Sequence, residues 1–127
     1  MNRLLIFNAK NNSFKKNYRS LSAPYIAPPN LTYDIFNEKS TFISWLPISS
    51  SQVPGRLLGY RIRYKLYFDN ISQAIVIDVD QYTQNKMIYS LKPFSFYWLE
   101  ISGFTIAGEG PKSLVIIETP PGRKLIS

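Results

Sequence analysis

A chain of 127 residues has room for one domain of ordinary size and some additional length. It contains no cysteine and no histidine, which excludes a disulfide framework, a thiolate metal site and the commonest general base and metal ligand. Hydrophobic residues make up 45% of the chain, enough for a core without covalent staples, and the net charge is +7.

That charge separates along the sequence. Residues 1–20 carry Arg3, Lys10, Lys15, Lys16 and Arg19 with no acid, and Arg123 and Lys124 lie at the other end. Between them eight basic side chains balance eight acidic ones, so the body of the chain is neutral and shows no phosphate-binding signature. The opening MNRLLIF has an apolar run of only four residues, against about 7–15 in a secretory h-region. No stretch approaches the roughly 18 consecutive apolar residues of a membrane span. Residues 1–23 are therefore expected to be a basic, poorly ordered lead-in. If the protein acts outside the cell, the chain is expected to be part of a longer product.

Ala23–Pro29, APYIAPP, predicts an extended proline-rich linker. Leu31–Phe36 is a first short strand, and Thr41–Trp45 a second, with Thr41, Ile43 and Trp45 on one face. Ile48–Arg56 reads as a Ser/Pro/Gly loop. Leu57–Leu66 is the third strand, alternating Tyr60, Ile62 and Tyr64 against Arg61, Arg63 and Lys65. Gln73–Val79 and Lys86–Leu91 follow as the fourth and fifth strands, the latter with Ile88 and Leu91 pointing inward. From Tyr97 the sixth strand sets Tyr97, Leu99, Ile101 and Gly103 against Trp98, Glu100 and Ser102. Gly108–Pro111 reads as a hairpin, Ser113–Thr119 as the seventh strand, and residues 122–127 as a linker or tail. Seven short strands with regular turn signals predict an all-β fold, an immunoglobulin-like two-sheet antiparallel β-sandwich. Its core is expected around Trp45, Tyr60, Ile62, Leu91, Leu99 and Ile101.

Several stretches narrow the class. Leu91-x-Pro93-x-x-x-Tyr97 precedes the sixth strand, Gly108-x-Gly110-Pro111 follows it, and Trp45 ends the second strand just before Pro47. Leu57-x-Gly59-Tyr60-x-Ile62-x-Tyr64 completes the set. Together they resemble the fibronectin type III family over about residues 27–120, and a module is expected at 24–121. The resemblance implies a tyrosine corner, with the Tyr97 ring inside and its hydroxyl bonded to backbone near Leu91. It also implies a non-catalytic spacer and interaction module of an adhesion, receptor or matrix protein, outside the cell or at its surface. Its partners would be other proteins or neighbouring modules, with no cofactor and no small-molecule substrate.

Chemistry has few places to reside. Asp78-x-Asp80 offers two carboxylates on one strand face, short of the six to eight oxygens that Ca²⁺ takes, and no nucleophile, Walker or dinucleotide pattern appears. Gly108-x-Gly110 precedes a strand, not a helix, and carries no phosphate-binding role. No catalytic residue, cofactor site or metal site is assigned. The candidate partner surface is Arg61, Arg63 and Lys65 beside Trp98 and Glu100, with the Arg61–Arg63 pair stacking on the Trp98 indole. Phe42, Tyr89, Phe94, Phe96 and Phe104 are outward or turn-borne. Three glycosylation triplets begin at Asn11, Asn30 and Asn70, of which Asn70, in an exposed turn, is the best candidate if the chain enters the secretory pathway. The runner-up reading is a basic-tailed binder of nucleic acid or sulfated polysaccharide through residues 3–19.

Overall fold

The computed structural model describes residues 22–122. Seven strands follow in order: β1 (Thr32–Asn37), β2 (Ser40–Ser44), β3 (Gly59–Leu66), β4 (Ile75–Asp80), β5 (Asn85–Ile88), β6 (Phe96–Thr105) and β7 (Gly108–Glu118). They form two antiparallel sheets, one of three strands in the order β1-β2-β5 and one of four in the order β4-β3-β6-β7. The alternating patterns of β3 and β6 explain the larger sheet. Ile62 pairs with Ile101 and Tyr64 with Leu99, so both strands turn their apolar sets to the same side.

The core lies between the sheets. Ile43 and Ile88 enter from the smaller sheet, and Tyr60, Ile62, Tyr64, Tyr97, Leu99, Ile101 and Ile117 from the larger. Trp45, one residue past β2, is buried and meets Tyr60 edge to face at a centroid distance of 5.6 Å. Its Nε1–H has no hydrogen-bond partner among the described residues. The loop after β2 is more than a connection, because Ile48 and Val53 are buried members of the core. Tyr60 fixes that loop, its hydroxyl accepting the Ile48 N–H at 3.0 Å.

Four expectations from the sequence need correction. APYIAPP is no free linker: Pro24 and Pro28 are buried, Tyr25 N–H donates to Gln52 O, and Ser113 Oγ donates to Pro28 O. The segment straps the sandwich, and Thr105 Oγ1 also donates to Ser22 O at 2.9 Å. β3 starts at Gly59 and β5 stops at Ile88, so Leu91 is buried from the crossing between sheets and not from a strand. Short single-turn 3-10 helices occupy Ser50–Gln52 and Ile71–Gln73.

The last hairpin also departs from expectation. The turn is Ile106-Ala107, closed by Gly108 at φ +133°, and Gly108–Pro111 already belong to β7. A bulge makes room for this. Ser102 faces Lys112 but Phe104 faces Glu109, so Gly110 and Pro111 together oppose Gly103. Pro111 needs no ladder partner there, and β7 is an edge strand. The extra residue also flips the face of everything before it, which turns Glu109 outward.

Candidate interaction surface

Across the outer face of the larger sheet the registers bring side chains from all four strands together. Arg61 and Arg63 of β3 lie opposite Asp78 and Val76 of β4, and opposite Ser102 and Glu100 of β6. Arg61 grips Asp78 with two parallel bonds, Nε to Oδ1 at 2.7 Å and Nη2 to Oδ2 at 2.8 Å. Its Nη1 donates to Glu109 Oε2 at 3.1 Å, and Arg63 Nη1 donates to Glu109 Oε1 at 2.7 Å. Ser102 Oγ adds a bond to Glu109 Oε1 at 2.8 Å, and Glu100 accepts from Arg63 Nη1 and from the Trp98 indole N–H. One carboxylate of β7 thus ties β3 and β6 together, with β4 joined through Arg61.

The charges respond accordingly. Arg63 above all, then Ser102 and Arg61, hold the Glu109 carboxyl at about 2, against the opposing effect of its partial burial. The Arg61 hydrogen bonds lower Asp78, and the carboxylate partners raise both guanidiniums further, Asp78 first for Arg61 and Glu109 for Arg63. These groups satisfy each other and are not poised to exchange protons near neutral pH.

Beside this network lies an apolar strip. Trp98 pairs with Ile116 and Glu100 with Leu114, which sets Trp98, Ile116 and Leu114 side by side, and Leu114 is 48% exposed. Lys65 Nζ sits 5.4 Å over the Trp98 ring and 5.9 Å over Tyr67, while Arg61 lies 4.8 Å over Phe104. The indole is therefore capped by Lys65, its direct cross-strand neighbour, and not by the Arg61–Arg63 pair, which the carboxylates hold.

Arg61, Arg63, Lys65, Trp98 and Glu100 thus share one face, as their alternation places them. The face also carries Asp78, Glu109, Leu114 and Ile116, none of which the sequence singles out for it. By its sequence Glu109 belongs to a turn, and only the bulge at Gly103 brings it onto this face. Asp78 and Asp80 do not act together, since Asp80 Oδ1 accepts from Tyr82 N–H and Thr83 Oγ1 in the next turn. Among the described residues no group of three or more His, Cys, Asp or Glu is placed to hold a metal ion. No described helix is long and apolar enough to cross a membrane. Asn30 and Asn70 are exposed, as are Tyr89, Phe94 and Phe96, while Phe42 and Phe104 are half-buried. Asn11 and the basic residues 3–19 lie outside the described residues.

The corner ahead of β6 fixes the orientation of the face. Ser90 and Phe94 take left-handed backbone conformations, φ 63° and 52°, on either side of Leu91-Lys92-Pro93. The Tyr97 ring is buried and its hydroxyl accepts the Lys92 N–H at 2.8 Å. With Tyr97 locked inward, Trp98 must point out.

No family model matches the chain. It is 30% identical over 112 residues to human neural cell adhesion molecule L1, covering 83% of this chain and 9% of that protein. Rat neogenin is 31% identical over 96 residues, covering 73% of this chain and 7% of its own length. The chain therefore spans about a tenth or less of these relatives. Among solved structures, the third fibronectin III domain of human KIAA0343 superposes with a TM-score of 0.70 at 26% identity, covering 84% of this chain and 90% of that one. The FN1–FN3 domains of chicken CNTN1 give 0.72 at 26% identity, covering 81% of this chain and 34% of that one. Strand order, the Tyr97 corner and these neighbours agree, and the chain belongs to the fibronectin type III family.

Proposed function

We propose that this domain is a non-catalytic module of a larger cell-surface adhesion or receptor protein, and that it meets a protein partner through the outer face of the four-stranded sheet. The observation that carries the reading is the composition of that face. Exposed Leu114 and Ile116 continue the half-buried Trp98 under Lys65 as an apolar strip, beside a charged network whose members are already paired. Interfaces favour such an arrangement, an aromatic anchor with a polar border that needs no new partners. Several relatives are named neural cell adhesion molecules, which supports the setting. The chain path supports a spacer role. Ser22 is held beside Thr105 at one end of β6, and Gly122 lies near Pro93 at the other, about 30 Å apart along the strand.

Adhesion of cells to surfaces coated with the full chain tests this reading. Leu114→Asp places a charge in the strip without touching the core and should lower adhesion about tenfold or more. Phe36→Asp, exposed on the smaller sheet, should leave it unchanged. Equal adhesion of the two variants would place the partner surface elsewhere.

A further inference from the structure

Between β3 and β4 the chain makes a tight turn in which Asp69 N–H donates to Leu66 O at 3.0 Å, then enters the helical turn Ile71–Gln73. Asn70 caps that turn. It is exposed and extended, φ −70° and ψ 148°, and its Oδ1 accepts the Ser72 N–H at 3.4 Å. The backbone thus engages the oxygen side of the amide, and Nδ2, which makes no hydrogen bond among the described residues, is left to solvent. Asn70-Ile71-Ser72 is an acceptor triplet for N-glycosylation, and Ser72 is exposed as well.

Two residues before the acceptor stands Phe68, 89% exposed. It has one aromatic neighbour. The Tyr67 ring meets it edge on at 4.9 Å, and Tyr67 is anchored 6.0 Å from Trp98, with its carbonyl accepting from Lys65 Nζ at 2.9 Å. A phenyl ring exposed to water is an apolar surface without a cover. A pyranose carries one face made mainly of C–H bonds, and two residues span at most about 7 Å, so the first sugar on Nδ2 is within reach of the ring. We infer that Asn70 is an N-glycan acceptor and that Phe68 is the platform on which its first sugar packs. Asn30 lacks these features. Its backbone is left-handed at φ 57°, its Thr32 is held in the ladder against Ser44, and the residue two before it is the buried Pro28. A glycan packed at Asn70 would cover the Phe68 ring.

The inference rests on the adhesion reading only for the compartment, so the test supplies the compartment. The full chain is expressed behind a cleavable secretory signal in glycosylating cells and recovered from the medium. Peptide-N-glycosidase, which leaves aspartate at each occupied site, then locates the glycan by mass. Occupancy should persist in Asn30→Gln and vanish in Ser72→Ala. Thermal unfolding before and after enzymatic removal should show a glycan-dependent gain of about 4–8 °C. Phe68→Ala, which folds because the ring is exposed, should lose at least half of that gain. Secreted chain without a glycan at Asn70 overturns the inference, and so does a gain that Phe68→Ala leaves intact. A native protein that never enters the secretory pathway would count against the adhesion reading alone.

Discussion

Tyr97 and Trp98 are adjacent in sequence and point to opposite sides of β6. The tyrosine is buried and its hydroxyl is the acceptor for the Lys92 N–H, a backbone group in the partly buried crossing between the sheets. Tyr97→Phe removes that acceptor with almost no change in shape. Chemical denaturation should show a loss of about 1–3 kcal/mol, and a midpoint indistinguishable from wild type would mean that the corner holds without the bond. This much was legible in the residues. The spacing Leu91-x-Pro93-x-x-x-Tyr97 and the alternation after it fix which side chains enter the core. Trp45, Tyr60, Ile62, Leu91, Leu99 and Ile101 are all buried. Ile48 and Val53 were not legible, because a Ser/Pro/Gly-rich segment gives no period from which to read an inward direction. The Lys65–Trp98 contact was missed for a different reason. Alternation gives the face of a side chain, but the register with the neighbouring strand decides which of several cations sits over which ring.

At the scale of elements, the bulge opposite Gly103 has the largest consequence. Gly-x-Gly-Pro resembles a turn by composition, yet the chain turns earlier, at Ile106-Ala107, and the slip of one residue rotates Glu109 onto the outer face. No local signal in the sequence announces a bulge, since it is a property of two strands and their pairing. The ion network that results predicts a pH response. The folded-state pKa of Glu109 is depressed to about 2. Its stabilising contribution is therefore complete above the ordinary glutamate range of about 4–5. It fades as pH falls from there toward about 2, and Asp78, also depressed, adds to the same trend. Stability measured across that acid range should decline less steeply in Glu109→Gln than in wild type. At neutral pH the substitution should cost about 1–3 kcal/mol, since a charged acceptor shared by two guanidiniums is lost. Parallel acid profiles for the two proteins would show that Glu109 titrates normally in the fold.

For the whole molecule, the segment ahead of β1 is part of the sandwich. Pro24 packs so closely on β7 that a Cβ at Gly110 would lie 2.6 Å from its carbonyl oxygen, and Leu46 N–H donates to Pro29 O at 2.8 Å. We propose a folding unit that reaches from about residue 22 to 121, and trimming should reveal it. A chain beginning at residue 22 should unfold as cooperatively as the full chain. One beginning at residue 31 should lose at least about 2 kcal/mol through the buried prolines and the bonds they anchor. Equal stability of the two would reduce the strap to a passive lead-in. The same strap brings the chain in at one pole of β6, and the corner at Pro93 lies beside its exit at the other. In a longer protein this geometry would set the outer face, the proposed partner surface, along the flank of the module. In the proposed surface Trp98 belongs to the partner-facing side of β6 and not to the core. The most direct test of this placement is the half-saturating concentration for cell binding of a Trp98→Ala chain whose unfolding free energy lies within about 1 kcal/mol of wild type. An increase of about tenfold or more is expected. Unchanged binding by that folded variant would contradict the placement.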